Sequence, residues 1–362
     1  MGQRKDIFTA GPAVQPEPVL EALAAAVRDY EGSGQSVLEL SHRSPAYEGI
    51  QARAEAALRR LLGLDEAWSV LFLPGGASTQ FSMVPMNLLG EDGRADYIVS
   101  GAWSEKALKE AVKVGAARDA GSSKGEDYRT LPGALELDET AVYCHYTSNN
   151  TIFGTQWSEP PDAGAVPLVC DASSDILSRP IELARHGLIY AGAQKNAGPA
   201  GVTLVLIRSD MIERAKATKR GAALPAMLDY VVQLGKDSRY NTPPVFAVYG
   251  VALIAEWLEQ QGGLMAMAAR NAEKAAKLYG VIDELEFYEP VAAPEARSLM
   301  NVCFRPADAG REGAFIEQAA ARGLVGLKGH RSVGGLRASL YNALPVEAVD
   351  RLTAFMREFA SA

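Results

Sequence analysis

Cysteine is scarce in this chain, and the little there is excludes two classes of protein. Cys144, Cys170 and Cys303 are the only three in 362 residues. They lie far apart, show no Cys-x-x-Cys spacing and are odd in number, so neither a disulfide framework nor a metal centre is indicated. Reduced thiols in a cytoplasmic protein fit best. Also lacking is any apolar run of membrane-spanning length. Arg4 and Lys5 run straight into Asp6 and Gly11-Pro12 without the apolar core of a secretion signal, and Asp6 stands where a myristoylation pattern needs Ser or Thr. The Asn149-Asn150-Thr151 match to a glycosylation acceptor is then a chance one. Positive charge is in deficit: 36 Lys and Arg stand against 44 Asp and Glu, a net of −8. That field disfavours nucleic acid and acidic membrane surfaces as partners, and an anionic substrate would need a local basic cluster. Internal repeats and low-complexity tracts are missing as well.

What is present suits a globular enzyme. With 48% hydrophobic and 22% charged residues, the chain can bury one large core and a smaller second one. Apolar runs that read as strands, at 69–73, 95–99, 140–146, 166–171, 186–190 and 202–207, alternate with helical patterns at 16–30, 47–62, 80–89, 105–114 and 211–218. Residues 37–40 read as a short extended piece, 121–137 as an exposed excursion and 219–224 as a mobile stretch. A helix over 245–260 leads to Gly262-Gly263, the expected boundary between a large domain (1–262) and a small one (263–362). The small domain alternates helix (264–278), strand (299–304), helix (313–321), strand (337–340) and helix (346–359). The pattern is that of an α/β protein with a smaller α+β domain.

Four stretches carry chemistry. Lys195 sits in Ala191-Gly192-Ala193-Gln194-Lys195-Asn196-Ala197-Gly198-Pro199, a run of small residues between two strand-like segments. An amine held there loses hydration, which favours its neutral, nucleophilic form and suits a Schiff base with a carbonyl, most often pyridoxal phosphate; an ordinary solvated lysine is the bland alternative. Asp171 ends the apolar run Val166 to Cys170, so a buried carboxylate there needs a partner, either a pyridinium nitrogen or the backbone amides of the residues it caps. Pro74-Gly75-Gly76-Ala77-Ser78-Thr79 joins a strand to a helix, where glycines, the first helical amides and the Ser78 and Thr79 hydroxyls can meet an anion. It lacks the lysine of a nucleotide-binding P-loop and the third glycine of a dinucleotide fingerprint. Trp103 follows another strand, where an indole can stack on an aromatic ring or be plain core. Basic groups gather at His42-Arg43 and in Lys328-Gly329-His330-Arg331-Ser332-Val333-Gly334-Gly335-Leu336-Arg337, and can receive a phosphate or a carboxylate. Asn241-Thr242-Pro243-Pro244 is held extended by its prolines.

Together, Phe8-Thr9-Ala10-Gly11-Pro12-Ala13, Ser41-His42-Arg43, Gly75-Gly76-Ala77-Ser78, Ile176-Leu177-Ser178-Arg179-Pro180, the Lys195 run, Asn241-Thr242-Pro243-Pro244 and Lys328-Gly329-His330-Arg331 resemble the phosphoserine aminotransferases. These are fold-type I, class V pyridoxal-phosphate enzymes, and the resemblance spans nearly the whole chain. It implies a large domain with a mostly parallel central sheet flanked by helices, and a homodimer with shared active sites. It further implies that Lys195 carries pyridoxal 5'-phosphate, Asp171 pairs with the ring nitrogen, Trp103 stacks on the ring and Thr151 bonds its phenolic oxygen region. The cofactor phosphate would be held by Ala77, Ser78 and Gln194, with Asn241 and Thr242 reaching across from the second subunit. His42, Arg43, His330 and Arg331 would bind the substrate phosphate, and Arg337 the α-carboxylate. Ala77-Ser78 stands where some members carry Gly-Arg, so a cationic contact to the cofactor phosphate is missing, and a lower cofactor affinity is expected. The implied reaction moves an amino group between L-glutamate and the phosphorylated 2-oxo acid 3-phosphohydroxypyruvate in serine biosynthesis, with phosphohydroxythreonine as a possible further substrate. The competing readings are a class V aminotransferase acting on unphosphorylated alanine, serine or glyoxylate, and a non-catalytic binder of the same cofactor.

Overall fold

The computed structural model describes residues 4–218 and 224–362, so of the stretch expected to be mobile only Leu224 lies within it. Seven strands form the central sheet: β1 (Trp68–Leu73), β2 (Arg94–Val99), β3 (Ala116–Ser122), β4 (Cys144–Thr147), β5 (Leu168–Asp171), β6 (His186–Gly192) and β7 (Thr203–Arg208). Their spatial order is β1-β7-β6-β5-β4-β2-β3. β7 runs antiparallel to both β1 and β6, and the other neighbouring pairs are parallel.

Strand periodicity divides the core between the two faces. Val70, Phe72, Cys170, Ile189, Ala191, Leu204 and Leu206 face one way, onto the helices Glu17–Arg28, Pro45–Leu62 and Val245–Gln260. Leu71, Leu73, Val169, Leu188, Tyr190, Val205 and Ile207 face the other, onto Gly76–Leu88, Ala102–Val114 and Ser209–Ala217. With both faces covered, β5, β6 and β7 read as unbroken apolar runs, which is why the sequence shows them clearly.

Beyond Gly262, in left-handed backbone at φ 93°, the long helix Gly263–Glu284 begins. A three-stranded antiparallel sheet follows, from Tyr288–Pro290, Asn301–Pro306 and Leu336–Ser339. Phe304, Phe315, Phe355 and Phe359 pack beside it, edge-on or tilted, each burial worth about 1.5–3 kcal/mol. The N-terminal segment joins this unit, since Asp6–Ile7 pairs in parallel with Leu324–Val325 and Phe8 enters the same cluster.

Buried polar contacts hold this unit together and tie it to the segments that follow the central strands. Lys274, fully enclosed, donates to the carbonyls of Leu340 and Tyr341 at 2.8 Å and of Leu344 at 3.2 Å. The Asn342 amide N–H donates to Asn196 Oδ1 at 3.0 Å, its side chain to the Leu177 carbonyl at 2.9 Å, and the Tyr341 hydroxyl to the Ala10 carbonyl at 2.8 Å.

Several local expectations differ. The helix expected over 80–89 begins at Gly76, which puts Ala77 and Ser78 in its first turn. The strand expected over 140–146 is Cys144–Thr147, and the one over 299–304 is Asn301–Pro306. Residues 37–40 form a turn that buries Val37 and Leu40, so apolar content there reflects anchoring rather than a strand. The edge strand β3 was invisible to periodicity, because one side of it faces solvent and its residues are small or charged.

Candidate active site

The carboxyl ends of β4, β5 and β6 lie side by side and open onto a cleft of about 390 Å³. Ligands gather at such strand ends because the loops leaving them diverge. Asp171 is the last residue of β5 and is 4% exposed. Its Oδ1 accepts from the Ser173 amide at 3.0 Å, and the Ser173 hydroxyl accepts from the Gly192 amide at 3.1 Å, so one serine locks the ends of two strands. No helix directly follows Asp171, so its oxygen caps a turn at Ser173 rather than a helix, and the carboxylate still lines the cleft.

Lys195 follows β6 in a turn closed by Ala193 N–H to the Val202 carbonyl and by Gly198 N–H to the Ala193 carbonyl, at 3.0 and 2.8 Å. The Ala13 amide donates to the Gln194 carbonyl at 2.8 Å, and Asn342 grips Asn196 on the other side. The lysine is held between two fixed neighbours. Burial pushes its amine down to about 8, against the opposing attraction of Asp171. Burial likewise raises the Asp171 carboxyl above its ordinary value, outweighing its bonds to Ser173 and the field of Lys195. Desolvation therefore wins on both partners, and each is left wanting a ligand.

The first turn of Gly76–Leu88 also lines the cleft. Gly75 lies at φ 101°, and a Cβ there would come within 2.2 Å of Thr79 Oγ1, so only glycine fits. Thr79 was expected to help bind an anion, but its hydroxyl donates to the Gly75 carbonyl at 2.9 Å, leaving Ala77, Ser78 and Gln194 on the cleft. Gly101 serves a similar purpose for Trp103: a Cβ would meet Asn150 Nδ2 at 1.9 Å. That close approach sets the helix Ala102–Val114 beside Thr151, and the indole Nε1–H donates to Thr151 Oγ1 at 3.1 Å. Arg337, from the small sheet, donates to the Thr151 carbonyl at 2.8 Å while its Nε finds no protein partner. His330 lines the mouth. Its Nδ1 accepts from the Ser332 amide and lies 2.7 Å from the Ser332 hydroxyl.

The structure thus brings Lys195, Asp171, Ala77, Ser78, Trp103, Thr151, Gln194, His330 and Arg337 to one cleft. His42, Arg43, Asn241, Thr242 and Arg331 do not line it. His42 and Arg43 occupy the loop before Pro45–Leu62, whose N-cap Ser44 is fixed by its hydroxyl bond to the Ser41 carbonyl at 2.7 Å. Asn241, Thr242 and Arg331 are exposed. Residues not singled out as site residues also face the cleft, among them Thr147, Asn149, Ser173 and Ser174. The polar runs at the ends of β4 and β5 were their one signal in the sequence. Thr147 is 5% exposed and its hydroxyl has no partner, so the cleft floor holds an unused donor.

Comparison with known proteins finds relatives over nearly the whole chain. The family described as Aminotransferase class-V matches residues 7–352. A phosphoserine aminotransferase of Lysinibacillus sphaericus is 49% identical over 362 residues, covering 99% of each chain. The solved phosphoserine aminotransferase from Bacillus circulans subsp. alkalophilus superposes with a TM-score of 0.95 at 46% identity, covering 99% of both chains. A PLP-bound phosphoserine aminotransferase from Trichomonas vaginalis reaches 0.90 at 40% identity, over 98% of this chain and 100% of that one.

Proposed function

The chain belongs to the class-V aminotransferase family, and from that premise we propose that it is a pyridoxal-phosphate-dependent transaminase exchanging an amino group between L-glutamate and 3-phosphohydroxypyruvate. The observation that carries the chemistry is the shared cleft of Lys195 and Asp171, an amine lowered to about 8 beside a carboxylate raised by burial.

The residues present fit the cofactor. An unpartnered Thr147 hydroxyl and a buried carboxylate lacking a contacting cation line the cleft floor. The free amides of a helix start and the Ser78 hydroxyl suit its phosphate, and the Trp103 indole offers a ring face. When bound, pyridoxal phosphate supplies an electron-accepting ring conjugated to the carbon at which the amino group is exchanged. Lys195 Nζ, neutral in a useful fraction near pH 8, would hold the cofactor and would be the base placed to take a proton from the amino acid Cα and return it. Asp171 would hold a proton on the cofactor's ring nitrogen, a partner that would offset the cost of burying this carboxylate. Arg337 orients the α-carboxylate through its open Nε edge, being itself fixed on Thr151. His330, with Nδ1 engaged by Ser332, presents Nε2–H to the distal anion.

Selectivity for a phosphorylated substrate is supported by the full-length likeness to phosphoserine aminotransferases and by the cations at the mouth. His42, Arg43, Asn241 and Thr242 complete the site from a second copy of the chain. Two exposed apolar side chains beside them, Leu38 at 62% and Tyr240 at 47%, favour such a covering partner. Among the described residues no helix is long and apolar enough to cross a membrane, and the three unpaired, buried thiols favour a cytoplasmic enzyme.

The test is the half-reaction of the holoenzyme. L-glutamate should convert the visible cofactor absorbance to that of the aminated form, and O-phosphoserine should do so far better than serine. No conversion would leave a mere cofactor binder, and equal kinetics with serine and phosphoserine would remove the phosphate assignment.

A further inference from the structure

Lys106 lies outside every group considered so far, yet its placement is unusual for a helix-surface lysine. On the helix Ala102–Val114 it stands one turn beyond Trp103, and its ammonium sits 4.3 Å from the centroid of the Trp103 ring. Helical side chains lean toward the N-terminus, so this pairing follows from the i,i+3 spacing. The indole is therefore held at its edge by Thr151 Oγ1 and on one face by a cation, while it also lines the cleft. The charge is not neutralised locally. The two carboxylates nearest on that helix are engaged elsewhere, Glu105 with Lys124 and Glu110 with Lys113, and no ion pair is formed by Lys106 among the described residues. Its field reaches the mouth of the cleft: after burial, Arg337, Arg331 and then Lys106 are what hold the His330 imidazole below its ordinary pKa.

We propose that Lys106 is a specificity-determining residue for the distal anion of the substrate, adding positive potential at the His330 end of the cleft from behind Trp103 and steadying the indole. The idea rests on the phosphorylated-substrate reading above. Indole and the packed helix start carry little water, so the field is screened less along this path than through solvent. Coulomb energy scales with ligand charge, so the factor contributed for a dianionic phosphate is the square of that for a single carboxylate. An exposed lysine at this remove is expected to contribute about threefold for a monoanion, hence about tenfold for the dianion.

The test compares wild type, Lys106→Gln and Lys106→Arg as holoenzymes, at fixed ionic strength, with 3-phosphohydroxypyruvate and 2-oxoglutarate as amino acceptors. The expected result is a KM for the phosphorylated acceptor about tenfold higher in Lys106→Gln, against about threefold for 2-oxoglutarate, with kcat changed little and Lys106→Arg close to wild type. A second readout needs no turnover. In proton NMR, the His330 ring signals, assigned with a His42→Gln variant, should titrate at higher pH in Lys106→Gln. His145 and His186, pushed by burial to about 3 and 4, do not interfere. Equal KM changes for the two acceptors, or an unmoved His330 titration, would overturn the proposal. A wild type that does not prefer the phosphorylated acceptor at all would instead remove the functional reading, and the His330 titration would still report whether Lys106 acts there.

Discussion

The residues assigned to the site fall into two kinds. Lys195, Asp171 and Thr147 stand at the ends of adjacent buried strands, each braced by backbone or serine contacts. His42, Arg43, Asn241, Thr242 and Arg331 belong to loops and do not reach the cleft of their own chain. Groups that perform proton transfer must be fixed to a fraction of an ångström, and a packed sheet provides that. Groups that only select an anion tolerate looser placement and can come from a second molecule, because charge acts over a distance.

If that division is right, removing a strand-end group should harm every substrate, and removing His42, Arg43 or Arg331 should harm the phosphorylated one. Lys195→Ala should lower kcat by roughly four orders of magnitude with either amino donor, the upper range for a positioned proton-transfer group; a loss under tenfold would break the comparison. Asp171→Asn should cost about 10²–10³ in kcat, the usual size of one preorganised charge, and its ring-nitrogen effect should appear as an altered cofactor absorbance. Arg43→Ala should raise the KM for O-phosphoserine by roughly tenfold or more, as for a lost charge-assisted contact, while cofactor affinity stays put. Mixing the KM-impaired Arg43→Ala and the inactive Lys195→Ala chains, assayed at O-phosphoserine well below its KM, should give about a quarter of wild-type activity if sites are shared between two copies, since half the random dimers carry one intact site. No restoration would remove the shared-site reading. Smallest is the pH effect: in cofactor-free protein, acylation of Lys195 by an amine-selective reagent, read by peptide mass spectrometry, should rise with pH and level off above about 8, whereas an unshifted lysine would keep rising about tenfold per unit up to about 10.4.

Much of the strand-end set was legible in the sequence. Lys195 and Asp171 were marked by their own neighbours, small residues around one and an apolar run before the other, and burial of both strand faces makes those runs continuous. Ser78 was visible through the glycines ahead of it. Thr79 was misread because a hydroxyl can turn back onto its own helix start, a choice the sequence does not reveal. Thr147 and Ser173 were passed over because a threonine or serine in a polar run carries no sign of whether its hydroxyl is buried. Lys106 looked like any solvated helix lysine until the indole beneath it and the imidazole near it were placed.

The amino-acid sequence by itself determined the alternation of strands and helices, the lysine and the carboxylate at strand ends, and the glycine turn into a helix, because each is set by residues within a few positions of one another. Only the tertiary structure decided which groups meet: Arg337 with Thr151, 186 residues apart, Tyr341 with Ala10, 331 apart, and Asn342 with Asn196, 146 apart. Local sequence cannot encode such pairings one by one. They follow from packing two cores against each other, where a buried polar group must find whatever partner the fold delivers or forfeit its hydrogen bond.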